Sequence, residues 1–186
     1  MLKCSIIILI ILFNIYIVDK EFAPYININK KEKLIYLMLS FCGIFFMVLD
    51  KQIYFIPISF LLFGNLIIDI KNKELSTILN VVLSIEGIIY VVFSNNINHI
   101  RTAFILYFIY LFISIISNES LGRGDVDLIF GIGLFINSYN LLKLLIYPFL
   151  ISSIYSLILL FFKKNKKYEF PFSPFIIVSF YIIMFI

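Results

Sequence analysis

LLKLLIYPFLISSIYSLILLFF, Leu141 to Phe162, runs for 22 residues with a single charge, Lys143. About 20 such residues cross the hydrocarbon layer as a helix, because that geometry satisfies every backbone N–H and C=O within the segment. Working outward, seven more apolar segments follow the same reading: Leu2 to Val18, Leu34 to Leu49, Ile53 to Ile70, Leu75 to Phe93, Ile100 to Ser117, a short Leu128 to Asn137, and Phe170 to Ile186. The pattern predicts an all-α, polytopic membrane helix bundle of about eight hydrophobic segments. One of these, Leu128 to Asn137, is too short to cross and reads as a half-helix lining a protein-enclosed polar pocket.

Composition agrees. The chain has 186 residues, 62% hydrophobic and 14% charged, with 22 Phe and 12 Tyr, and a mean hydropathy of +1.08. Soluble domains are nearer half apolar and a quarter charged. A soluble enzyme, a disordered tail and a nucleic-acid-binding module are excluded on that ground. Cys4 and Cys42 both sit in apolar runs and supply neither a disulfide framework nor a zinc knuckle. The first segment ends in Val18-Asp19-Lys20-Glu21 without a small-x-small cleavage pattern, so it is expected to be a retained helix rather than a secretory signal.

With eight crossings, one side of the membrane holds Lys20, Lys30, Lys31, Lys33, Lys71, Lys73, Arg123, Lys163, Lys164, Lys166 and Lys167, and the other Lys3, Lys51, Arg101 and Lys143. Eleven basic residues against four make the first side cytoplasmic, with both termini outside. The Lys163 to Lys167 run reads as an anchor on anionic membrane lipid headgroups.

Acidic residues at the rim of a membrane helix are costly unless paired or functional. Asp69, in FGNLIIDIKNKELS, closes the third segment; Asp125 and Asp127, in LGRGDVDLIFGIG, precede the sixth. Asp69 and Asp125 are 56 residues apart, yet two intervening crossings return the chain to the same face. Two carboxylates within reach of one water cannot both ionise easily at low dielectric, so one proton is shared and the pair can act as base and acid together. Gly122 and Gly124 are expected to supply turn conformations barred to other residues and to let a substrate strand approach Asp125. The plainer readings are an interface carboxylate paired with Lys71 or Lys73 for Asp69, a helix N-cap for Asp125, and a first-turn acid favoured by the helix dipole for Asp127. Glu86, in mid-span, is expected to be neutral or paired, His99 to be a solvated loop residue, and Pro57 and Pro148 to kink their helices.

A rim aspartate followed two helices later by Gly-x-Gly-Asp resembles the GxGD membrane aspartic proteases, and more specifically the type IV prepilin peptidase family. IIDIKNKEL is similar to that family's first-aspartate segment, GRGDVDLIFGIGLF to its GxGD helix, and FPFSPFIIVSF to its lead-in to the last helix. The resemblance covers about Ile53 to Ile186. It implies two N-terminal membrane helices over residues 1–52 and a peptidase-like membrane core over 53–186. It further implies an aspartic endopeptidase that removes basic leader peptides from prepilin-like precursor proteins at the cytoplasmic membrane face, with Asp69 and Asp125 as the catalytic pair and no cofactor or metal. Glu74, Glu119 and Asp127 are candidates to meet leader lysines. The zinc-binding insert of many bacterial members has no counterpart, since the matching loop, Asp19 to Lys33, lacks cysteine. The implied protein is therefore a short form without methyltransferase activity. The chain also departs from the family at Asp127, where a lysine is common, and at Glu74-Leu75, where Ile-Pro is usual. Two rival readings remain: a non-enzymatic transporter or assembly scaffold using Asp69, Glu86 and Asp125 for ions, and a GxGD intramembrane protease with another substrate.

Overall fold

A computed structural model describes residues 2–25, 36, 38, 40, 55–117, 121–162 and 170–185. Among these the chain is helical, with no strand: α1 (Leu2–Tyr25), α2 (Ile56–Asn72), α3 (Thr77–Ser94), α4 (Asn98–Ile116), α5 (Arg123–Gly133), a single 3₁₀ turn (Ser138–Asn140), α6 (Leu141–Phe162) and α7 (Ser173–Phe185). Most of the expected second segment, together with Cys42, Glu119 and the Lys163 to Lys167 run, lies outside the described residues. The chain divides into two compact units, Met1–Leu83 and Ser84–Ile186, with the boundary inside α3.

The first unit is built on α1 lying along α2. Gly64 makes the approach possible: a Cβ there would stand 3.0 Å from a Val18 methyl and 3.3 Å from Leu79. Small residues at such crossings replace the hydrophobic drive that lipid removes. The Asn14 amide donates to the Pro57 carbonyl at 3.0 Å, and the Asn65 amide to Asn80 Oδ1 at 2.9 Å. Two expectations are corrected here. α1 continues past Val18 to Tyr25, so Asp19, Lys20 and Glu21 are helical rather than loop. Pro57 lies in the first turn of α2 and starts the helix instead of kinking it, since its missing N–H has no partner to lose there.

The second unit packs α5 along α4 and α6 against α7. At the α4–α5 crossing a Cβ on Gly133 would fall 2.8 Å from Ala103 Cα, and on α3 one on Gly87 would fall 2.6 Å from Leu134 Cβ, just past the end of α5. Leu106, Leu128, Ile129, Ile132, Leu144 and Phe180 are fully buried. Three helical stretches, Thr77–Ser94, Asn98–Ile116 and Ser138–Phe161, are long and apolar enough to cross a membrane. Their outer faces carry exposed Val92, Phe93, Phe112, Ile116, Leu157 and Phe161, a surface suited to lipid and unsuited to water. Pro148 is inside α6, as the sequence placed it.

His99 is not a solvated loop residue. α4 starts at Asn98, earlier than the apolar run, which places His99 in the first turn. It is 3% exposed, its Nδ1 lies 3.0 Å from the Ile136 carbonyl oxygen, and its ring meets Tyr90 edge to face. A buried ring with a satisfied nitrogen is a packing element.

Candidate active site

In the second unit the site is built around the start of α5. Ser114 on α4 donates its hydroxyl to the Leu121 carbonyl at 2.6 Å, which fixes the chain just before the helix. Gly122 then takes an extended conformation, φ −61° and ψ 146°, and its carbonyl accepts the Asp125 N–H at 3.1 Å. Asp125 thus stands in the first turn, with Gly122 and not Asp125 at the cap position. It is 8% exposed, in a place where the helix dipole favours a carboxylate.

The glycine reading needs correction. No described glycine has a positive φ, so Gly122 and Gly124 are not there for forbidden turn angles. What Gly122 supplies is bareness: a Cβ on it would lie 3.5 Å from Asp125 Oδ2 and would cover that side of the carboxyl group. The helix also begins earlier and ends earlier than Leu128 to Asn137, because the polar Arg123-Gly124-Asp125 turn opens it and Leu134–Ile136 form turns. At 11 residues it is about 16 Å long, roughly half the hydrocarbon thickness. Asp127 is exposed on α5, outside the apolar segment that follows it; partial burial of its side chain raises its pKa above the ordinary carboxylate value.

Tyr110 on α4 is fully buried. Its hydroxyl donates to the Leu144 carbonyl at 3.3 Å. Its ring begins a chain of aromatic contacts, Tyr110 to Phe149 at 5.4 Å, Phe149 to Phe172 at 5.2 Å and Phe172 to Phe175 at 6.2 Å. Phe170 and Tyr155 join it at Phe175. The FPFSPF run is therefore a wedge of rings between α6 and α7.

In the first unit Asp69 stands in the last turn of α2 and is 5% exposed. Its backbone carbonyl accepts the Lys73 N–H at 2.8 Å, and Lys73 closes the helix with φ 57°, a left-handed conformation unusual for a side chain larger than glycine. Lys71 complements the negative end of the helix. Glu74 is exposed in the connector that follows. Ser76 caps α3: its Oγ accepts the Leu79 N–H at 3.3 Å and donates to Glu21 Oε2 at 2.6 Å.

The predicted residues thus fall into two groups, Asp69 with Glu74 in one unit, and Gly122, Gly124, Asp125 and Asp127 in the other. Glu21, Asn65, Ser76, Asn80, Tyr110 and Ser114 were not singled out from sequence. Asn65 and Asn80 carried a usable signal, since an amide inside an apolar run needs a partner across a helix pair. Glu21 carried none, because it read as part of a charged loop.

The family model of the type IV leader peptidases matches residues 55–161, more than half of the chain, and this stretch includes both buried aspartates. No curated protein and no solved structure matches. An all-helical membrane protein whose matched stretch runs from the first turn of α2 nearly to the end of α6, the chain belongs to the type IV leader peptidase family and is a protease of that kind.

Proposed function

We propose that this protease is an aspartic endopeptidase in which Asp69 and Asp125 act together on one water. One carboxylate, ionised, takes a proton as the water oxygen adds to the scissile carbonyl. The other, protonated, donates to the carbonyl oxygen. Collapse of the tetrahedral intermediate breaks the C–N bond, and the proton passes to the leaving amine. The substrate is a prepilin-like precursor, cut between a short basic leader and its apolar helix at the cytoplasmic face of a multi-pass membrane protein, without subsequent methyl transfer. The observation that carries this reading is that two carboxylates, each less than a tenth exposed and each in a terminal helical turn, lie inside the family-matched stretch. The excess of basic residues on the loops bearing them supports the cytoplasmic placement. The bare flank of Asp125 at Gly122 suits approach of an extended substrate backbone.

The test is to express D69N and D125N in membranes with a precursor that has a lysine-rich leader before an apolar helix, and to follow its size. Both variants are expected to leave the precursor uncut while accumulating normally. Cleavage at the wild-type rate by either one would end the two-carboxylate mechanism.

A further inference from the structure

Glu21 belongs to none of the motifs, yet it is 8% exposed and spends one carboxylate oxygen on a buried serine. The 2.6 Å bond from Ser76 Oγ to Glu21 Oε2 is in the range of a charge-assisted O–H···O contact. Ser76 is also the cap of α3, receiving the Leu79 N–H, and the Asn80 N–H bonds to its backbone carbonyl at 3.2 Å. One turn along α3, Asn80 accepts the amide of Asn65 on α2. One turn along α2 in the direction of the connector stands Asp69. Residues four apart share a helix face, so Asp69 and Ser76 flank the connector, each one turn from the Asn65–Asn80 bond. The left-handed Lys73 sits between them.

We propose that Glu21 and Ser76 are positioning residues for Asp69. The carboxylate at the end of α1 holds the α3 cap, and the cap together with the Asn65–Asn80 bond fixes the turn from which Asp69 projects. The inference rests on Asp69 being catalytic. A misplacement of about 1 Å at a reacting group can cost up to a hundredfold in rate, which gives this clamp a measurable consequence.

The experiment uses the full chain in membranes and a lysine-rich-leader precursor, with rates normalised to folded protein measured by resistance to proteolysis. E21A and S76A are expected to lower kcat about tenfold or more, with KM within about twofold. The double variant is expected to be no slower than the worse single one, since both act through one bond. E21Q, whose side-chain carbonyl still accepts from Ser76, is expected to recover most of the rate. Should E21A fail to accumulate, E21Q against S76A makes the same comparison. Wild-type kcat per folded molecule in both E21A and S76A, with D69N inactive, would overturn the clamp and leave the functional reading intact. Additive losses in the double variant would also overturn it. Active D69N would instead overturn the functional reading, and the clamp with it.

Discussion

Replacing Gly133 by alanine tests the seam on which Asp125 is mounted. The new Cβ would lie 2.8 Å from Ala103 Cα, 3.3 Å from Ala103 Cβ and 3.4 Å from Ala103 N. Carbon pairs rest at about 3.5–4.0 Å, so the contact is too short by about 1 Å. Its nearest partner is backbone, which no rotamer change can move aside. Overpacking of this kind costs typically about 1–3 kcal/mol, and the upper half of that range applies where a whole helix must shift. Alanine returns about 1 kcal/mol through its better helix propensity. The net expectation is a loss of roughly 1–2 kcal/mol, together with reduced precursor cleavage, because α5 carries Asp125 as it moves. Equilibrium unfolding in mixed micelles with increasing denaturing detergent measures the first, and the precursor assay the second. G122A is the control: its Cβ would meet nothing nearer than 3.5 Å, and its stability should stay within about 0.5 kcal/mol of wild type. If G133A proves as stable as wild type, the close α4–α5 crossing is not as described and the reasoning fails.

Two further outcomes follow from the local geometry. K73G removes the side chain from a left-handed position, φ 57°, and should raise stability by about 1 kcal/mol in the same unfolding experiment; an unchanged midpoint would mean that the turn after Asp69 carries no backbone strain. Burial raises the Asp127 pKa, so as pH falls its negative charge is lost earlier than that of an ordinary carboxylate. If Asp127 meets leader lysines, KM for a lysine-rich precursor should rise as pH falls, beginning above the range in which an ordinary carboxylate is protonated, in the wild type and be high and flat in D127N, whereas parallel profiles in the two proteins would remove Asp127 from substrate binding.

The spans that hydropathy identified are helical over most of their described length, because an apolar run in lipid has no other way to satisfy its backbone. The short helix near Asp125 was also legible, since its apolar stretch could not reach across. Its true start was not, because hydropathy follows side chains while the helix begins at a polar turn, Arg123 to Asp125, whose acid suits the dipole. Asp69 and Asp125 could be found in sequence as charges at helix rims. Their surroundings could not: Glu21 is helical and buried with Ser76 donating to it, and His99 is buried with its ring nitrogen at the Ile136 carbonyl. Such partners are distant in sequence and no local period announces them. The turn role expected of Gly122 and Gly124 was wrong, and the glycines that do shape the packing were missed for the same reason. Gly133 and Gly87 matter for what faces them, and a facing residue is visible only after the helices have packed.

The rings of Phe149, Phe172 and Phe175 bear on where this protein may safely be shortened. The stretch matched to the family ends at residue 161, an inviting place to truncate. Yet Phe172 and Phe175 come after it and complete the aromatic file that begins at Tyr110. A chain stopped at that limit would keep every matched position and still lose the rings of Phe172 and Phe175 that pack against Phe149 and Tyr155 of α6, so the stretch that marks the chain as a relative is shorter than the stretch that completes its ring packing.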